Sequence, residues 1–331
     1  MYPLRFEPIF RRYLWGGRRL FEALGKQIGD QDCAESWEIV DHNEDQSIVS
    51  AGALAGKSLN ELVRTRGEEL LGPEVAARVR STEIPIHLRY RFPLLLKFLD
   101  ANRDLSVQVH PDDQMGRTLS PPDLGKTEAW YVIEADKGSR IYAGLKQGVG
   151  KREFRQAVEN GNAETLLHGF QPSPGDCVFI KAGTVHAIGA GLLIAEIQQA
   201  SDTTFRIFDW NRVDQSGTPR ALHIEQGIAA TDFALGPVMP GNPVRLADDS
   251  GDLLVENEKF VLQRRQFSQP ISVGGDGRFR IIAVTKGAVG VQNDPSGSPL
   301  ETGGSILIPA CCAELELVPQ ADVELLEVFV R

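Results

Sequence analysis

The run from Leu105 to His110 constrains this chain more than any other stretch. Leu105, Val107 and Val109 alternate with Ser106, Gln108 and His110. Side chains on a β-strand alternate faces with a period of two, so the polar set points one way and the apolar set the other. A strand that turns an amide and an imidazole inward needs partners for them, because an unpaired buried polar group is costly. Two further strand-like runs supply candidates. Lys126 and Glu128 share a face just ahead of the apolar run Trp130 to Ile133. His186 follows a Gly-containing turn after the run CVFI at 177–180. Two imidazoles, one carboxylate and one amide oxygen on three separate strands converge only if those strands line one barrel. That donor set suits a borderline divalent metal, zinc first.

Seven motifs, in order, carry a family resemblance: YLWGG at 13–17, ESWEI at 35–39, FPLLLKFLDA at 92–101, VQVHPDD at 107–113, GKTEAWYV at 125–132, GDCVFIKAGTVHAIG at 175–189 and IAEIQQASDTTFRIFDWNR at 194–212. Together they make the chain resemble a class I mannose-6-phosphate isomerase of the short bacterial type, a zinc-dependent cupin enzyme. The resemblance is dense over roughly the first two thirds of the chain and loose over the rest. It implies one zinc ion per chain held by Gln108, His110, Glu128 and His186. It also implies a catalytic role for Arg206, with Glu196 ten residues ahead of it as a candidate base. Lys126 is a second candidate for proton transfer or for holding phosphate, and Ser106 and Asp202 are candidate substrate-binding residues.

Composition limits the alternatives. The 331 residues, 42% of them hydrophobic, suffice for one large core or two medium ones. Net charge is -10 with no basic stripe, which argues against nucleic acid as a partner. An acidic chain that takes an anionic sugar phosphate needs a local positive pocket, for which Lys97, Lys126, Arg206 and Arg212 are the candidates. Cys33, Cys177, Cys311 and Cys312 have neither zinc-finger nor CxxC spacing, and they read as reduced thiols of a cytoplasmic protein. The start MYPLRFEPIF lacks the apolar core of a signal peptide, and no apolar run approaches the roughly 20 residues of a membrane helix. Oligomeric state is left undetermined.

The pattern along the chain is mostly β with two helical insertions. Leu59, Leu62, Val63, Leu70, Leu71, Val75 and Val79 recur at helical spacing around a Gly-Pro break, which places two short helices near 57–80. Phe154, Val158 and Leu166 place a second insertion near 151–169. Near the end, GGSILIPACCAELEL at 303–317 echoes GDCVFIKAGTVHAIG at 175–189, and no His follows His223. The expected architecture is therefore a bicupin, two jelly-roll barrels: a metal-binding domain over 1–235 and a metal-free cupin-like domain over 236–331. The competing arrangement is a single enlarged barrel.

The remaining histidines read as structural: His42 in a polar loop, His87 in a strand-like run, His168 near a helix end and His223 before a helix. Trp15 and Trp37 read as core. Asp202 or Glu196 is the expected ion-pair partner of Arg206 if that Arg is structural. The chemistry this set would serve is the interconversion of mannose 6-phosphate and fructose 6-phosphate. A base moves a proton between C2 and C1, and cations steady the enediolate oxygens. Glu196, Lys126 and a metal-bound water all remain open as that base. A dioxygenase-type cupin enzyme and a non-catalytic phosphosugar-binding protein are the alternatives.

Overall fold

The computed structural model describes residues 1–213 and 217–331. The chain gathers into two compact units. One consists of residues 1–12, 18–98 and 241–331, the other of 13–17 and 99–240. Strands dominate both, as the alternating pattern predicts.

In the second unit, one run of antiparallel strands pairs Leu192–Gln199 with Glu128–Ala135, and that strand with Cys177–Ile180. A separate five-stranded sheet has the order Phe205–Phe208, Val107–Val109, His186–Ile188, Ile141–Leu145, Leu167–Phe170. The apolar face of this sheet, with Val107, Val109, Ala187, Phe205 and Ile207, is buried in one cluster with Phe154 and Val158. Those two come from the helix Lys151–Glu159, so the predicted stripe packs where its spacing requires. Burying a large aliphatic or aromatic side chain contributes about 1.5–3 kcal/mol, which makes this cluster the main support of the sheet. The helix Ile224–Ala230 covers the same face, and Gly227 permits its approach: a Cβ there would lie 2.7 Å from Ile207 Cγ1.

The first unit holds the helices Leu59–Leu71 and Pro73–Arg80 at the place the 57–80 pattern predicts. Ser58 caps the first by accepting from Glu61 N–H, and Gly72, at φ 82°, makes the break before Pro73. Two C-terminal sheets close on one apolar core of Ile282, Val284, Ile306, Ile308, Leu315 and Leu317 among others. The predicted echo is visible in the strands: Cys177–Ile180 then His186–Ile188, and Ser305–Ile308 then Leu315–Pro319.

Local expectations needed correction in two places. The second insertion is a helix only to Glu159, followed by a 3-10 turn Ala163–Leu166, and its last residues form the strand Leu167–Phe170. His168 therefore lies in a strand, pulled out of helix by pairing with Ile141–Leu145. His87 sits in the 3-10 turn Ile86–Leu88, where Pro85 precedes it and biases the backbone away from a ladder. All four cysteines are free thiols, and Trp15 and Trp37 are buried. Among the described residues, no helix is long and apolar enough to cross a membrane.

Candidate metal centre

Three strand termini deliver the donors. His110 follows directly on Val107–Val109, Glu128 opens Glu128–Ala135, and His186 opens His186–Ile188. Backbone bonds stitch these termini together: Gly183 N–H donates to His110 O, and Lys126 N–H donates to Pro111 O. One ligand atom from each of His110, Glu128 and His186 lies within 4.8 Å of the others, and all three residues are buried. The Glu128 carboxylate spans the two imidazoles, with Oε2 3.5 Å from His110 Nε2 and Oε1 3.5 Å from His186 Nε2. Ligands about 2.0–2.2 Å from a tetrahedral zinc ion stand roughly 3.3–3.6 Å apart, so this spacing fits such an ion.

The imidazoles are presented in one tautomer. His110 Nδ1 is 3.0 Å from Thr203 O, and His186 Nδ1 is 2.9 Å from Thr184 O. A carbonyl only accepts, so both Nδ1 atoms carry the proton and both Nε2 atoms face the centre with a lone pair. His186 Nε2 is buried and has no hydrogen-bond partner, an orphan acceptor of the kind a cation satisfies. Burial pushes the His186 imidazole down to about 4, the nearby Lys126 ammonium adding to that, so the neutral ligand form persists well below neutrality. The Lys126 ammonium lies 2.5 Å from Glu128 Oε2 and 3.1 Å from His110 Nε2.

The rest of the polar face is a row set by strand register. Gln108 pairs across the ladder with His186 on one side and with Arg206 on the other, which puts all three side chains on one face. Arg206 donates through Nε to Ser106 Oγ at 3.3 Å and through Nη1 to Ala221 O. Glu196 is buried; its Oε2 accepts from Trp130 Nε1 at 3.0 Å, and its Oε1 is 3.6 Å from Lys126 Nζ. Lys126, Glu128, Glu196 and Trp130 thus form one connected group beside the two histidines.

Asp202 is exposed in the turn before Phe205, and Glu196 is engaged by Trp130 and Lys126. The carboxylate that acts on Arg206 is Asp209, which the sequence reading missed. Asp209 accepts from Arg212 and, through both oxygens, from Arg220. Burial lowers the pKa of the Arg206 guanidinium, and the charges of Arg220 and Arg212 lower it further. One carboxylate among three guanidiniums leaves a local positive excess in an acidic chain. The Asp209 to Arg212 spacing of three was the available signal; Arg220 had none. Lys97, also expected near phosphate, is buried and lies 3.6 Å from Glu35. His223 is structural: its backbone N–H donates to Arg206 O, and its Nδ1 accepts from Arg206 N–H.

Comparison with known proteins shows the family. The family model described as "Phosphomannose isomerase type I, catalytic domain" matches residues 4–139, which include Gln108, His110 and Glu128. The chain is 33% identical to mannose-6-phosphate isomerase ManA of Bacillus subtilis over 324 residues, 97% of each protein. It is 40% identical to the probable mannose-6-phosphate isomerase GmuF of the same organism over 227 residues, 69% of this chain and 67% of the relative. The crystal structure of mannose 6-phosphate isomerase from Bacillus subtilis superposes with a TM-score of 0.86 at 28% identity, covering 99% of both chains. Matched over 97% of its length at 33% identity, the chain belongs to the type I mannose-6-phosphate isomerase family.

Proposed function

We propose that this protein interconverts mannose 6-phosphate and fructose 6-phosphate at the His110–Glu128–His186 centre, with zinc as the resident metal and Gln108 as its fourth ligand. The observation that carries the reading is the convergence of those three donors within 4.8 Å beside Lys126 and Glu196. Bound there, a zinc ion would supply a Lewis acid for the sugar's carbonyl and hydroxyl oxygens.

The chain's own groups account for the remaining chemistry. Glu196 is buried and fixed by Trp130, which suits it to take the C2 proton of the aldose and return it to C1. Lys126, 3.6 Å from Glu196, is placed to move the second proton between the two oxygens. Arg206 faces the negative charge that grows on the enediolate, and a half-buried guanidinium is most effective against such charge. Ser106 holds Arg206 in line, and Asp202 sits at the solvent side as a substrate contact. The guanidiniums of Arg212 and Arg220, which share the one carboxylate of Asp209, suit the substrate's phosphate. The dioxygenase and non-catalytic alternatives gain no support, because the full-length relatives are isomerases.

The same reading extends to architecture. Paired antiparallel sheets support two cupin jelly rolls, a metal-bearing one in the unit of residues 13–17 and 99–240 and a metal-free one in the unit of residues 1–12, 18–98 and 241–331, in place of the expected sequential division at 235. Four free thiols support a cytoplasmic setting. The test is a coupled assay of mannose 6-phosphate conversion with metal-stripped and zinc-restored protein. Turnover that returns with about one zinc per chain is expected. Full turnover in stripped protein, or oxygen consumption in place of isomerisation, would overturn the reading.

A further inference from the structure

We propose that Asp123 is a positioning residue whose carboxylate fixes the orientation and tautomer of His110 through the turn at 200–204. The proposal rests on the metal reading given above. That turn joins Leu192–Gln199 in one sheet to Phe205–Phe208 in another, and it belongs to neither ladder. Yet Thr203 O, in the middle of it, is the atom that His110 Nδ1 donates to. The imidazole is therefore only as well aimed as this turn.

Asp123 is what holds the turn. Its side chain is buried, and Oδ2 accepts from Ser201 Oγ at 2.9 Å and from Thr203 Oγ1 at 2.8 Å. Ser201 Oγ accepts in turn from Thr203 N–H, so both ends of the Ser201–Thr203 step are tied to one carboxylate. Asp123 is itself fixed: Oδ1 accepts from Leu124 N–H, and its own N–H donates to Gly116 O. The approach to Gly116 is close, since a Cβ there would meet Asp123 O at 2.6 Å. Two hydroxyls and one backbone N–H donate to this one carboxylate, which fixes the orientation of all three. The consequence is a chain from Asp123 through Thr203 to His110 Nδ1–H, which leaves Nε2 unprotonated and directed at the centre. His186 takes its orientation from Thr184 O, outside this chain, and serves as an internal control. Outer partners of this kind change metal affinity by about 10–100-fold.

The test uses full-length protein and two readouts. Nitrogen-15 NMR of the imidazoles in metal-free protein reports the tautomer of each histidine, and chelator competition reports zinc affinity. Because the Lys126 ammonium also donates to His110 Nε2, the tautomer is read in a Lys126→Met background; there, adding Asp123→Ala is expected to cost His110 its single Nδ1–H tautomer while His186 keeps its own, and zinc should bind about tenfold more weakly than without that change. Asp123→Asn keeps an acceptor oxygen toward the hydroxyls but sets its NH2 against Leu124 N–H, so both readouts should fall between wild type and Asp123→Ala. The proposal is overturned if His110 in Asp123→Ala keeps its tautomer and zinc affinity stays within about twofold, below the range for such partners. Should Asp123→Ala fail to fold, Thr203→Val and Ser201→Ala each remove one hydroxyl. An unchanged His110 in both then overturns the proposal. If wild-type protein binds no zinc, the metal reading fails separately, and the NMR arm still decides the role of Asp123.

Discussion

Lowering the pH should weaken the metal-free protein through one buried group, His186. Its imidazole is held down to about 4 in the folded chain, with burial as the main cause, against an ordinary value of 6.5. The folded state thus favours the neutral ring, and between those two values the unfolded chain binds more protons. Stability from this group is fully present above about pH 6.5, declines as pH falls, and is gone below about pH 4. A depression of about 2.5 units corresponds to about 3 kcal/mol in full, and about 2 kcal/mol is already lost by about pH 5. Carboxylates titrate in the same direction, so the measured quantity is a difference. Urea unfolding of wild type and of His186→Gln, both stripped of metal, is compared at about pH 7 and about pH 5. Wild type should lose about 2 kcal/mol more than the variant over that interval. Equal losses in the two proteins would refute the argument, because the ring would then titrate as an exposed histidine does.

Three further outcomes are expected. Arg206→Lys keeps the charge but not the planar fork that reaches Ser106 and Ala221, so kcat should fall by about 10–100-fold with a smaller change in KM; a rise in KM alone would make Arg206 a phosphate anchor. Trp130→Phe keeps the ring but removes the N–H that Glu196 accepts, and a bond to a charged group is worth about 1.5–3 kcal/mol, so kcat should drop by about tenfold or more in steady-state assays. Deleting residues 251–331 strips Phe279 from Phe92, with which it packs at 5.0 Å, and Ala310 N–H from Leu70 O, so light scattering should show aggregation; a soluble, cooperatively folded truncation would count against it.

What the sequence made legible is what period and spacing encode. Ser106, Gln108 and His110 opposite Val107 and Val109 announce a strand with a polar face, and the structure buries both valines against Phe154 and Val158. The helices near 57–80 follow from Ser58, Gly72 and Pro73, whose effects are local. The unread parts depend on contacts distant in sequence. No local pattern shows that Trp130 donates to Glu196, 66 residues away. Likewise nothing near Asp209 shows that Arg220 folds back onto it, or that Ser201 and Thr203 reach Asp123. His168 was misplaced for the same reason, because pairing with Ile141–Leu145 decided its backbone. His87 differs: Pro85, two residues before it, was a local signal against a strand.

The two echoing strand pairs show why the chain carries a helix at 151–159. In Leu315–Pro319, Leu317 points into the apolar core while Glu316 and Val318 face outward, so the interior itself supplies the stabilisation. The sheet with Val107–Val109 reverses that use. Its other face carries Gln108, His186 and Arg206, side chains that contribute little apolar burial and lose hydration when enclosed. A sheet committed to chemistry on one face must gain its stability on the other. Phe154 and Val158 supply it, together with Val185, Ile207 and Phe208, at about 1.5–3 kcal/mol for each large apolar side chain fully buried. The same division explains the position of the donors. His110, Glu128 and His186 sit at strand ends, where a buried polar side chain disturbs the fewest ladder bonds and the adjoining turns can supply Thr203 O and Thr184 O to orient it.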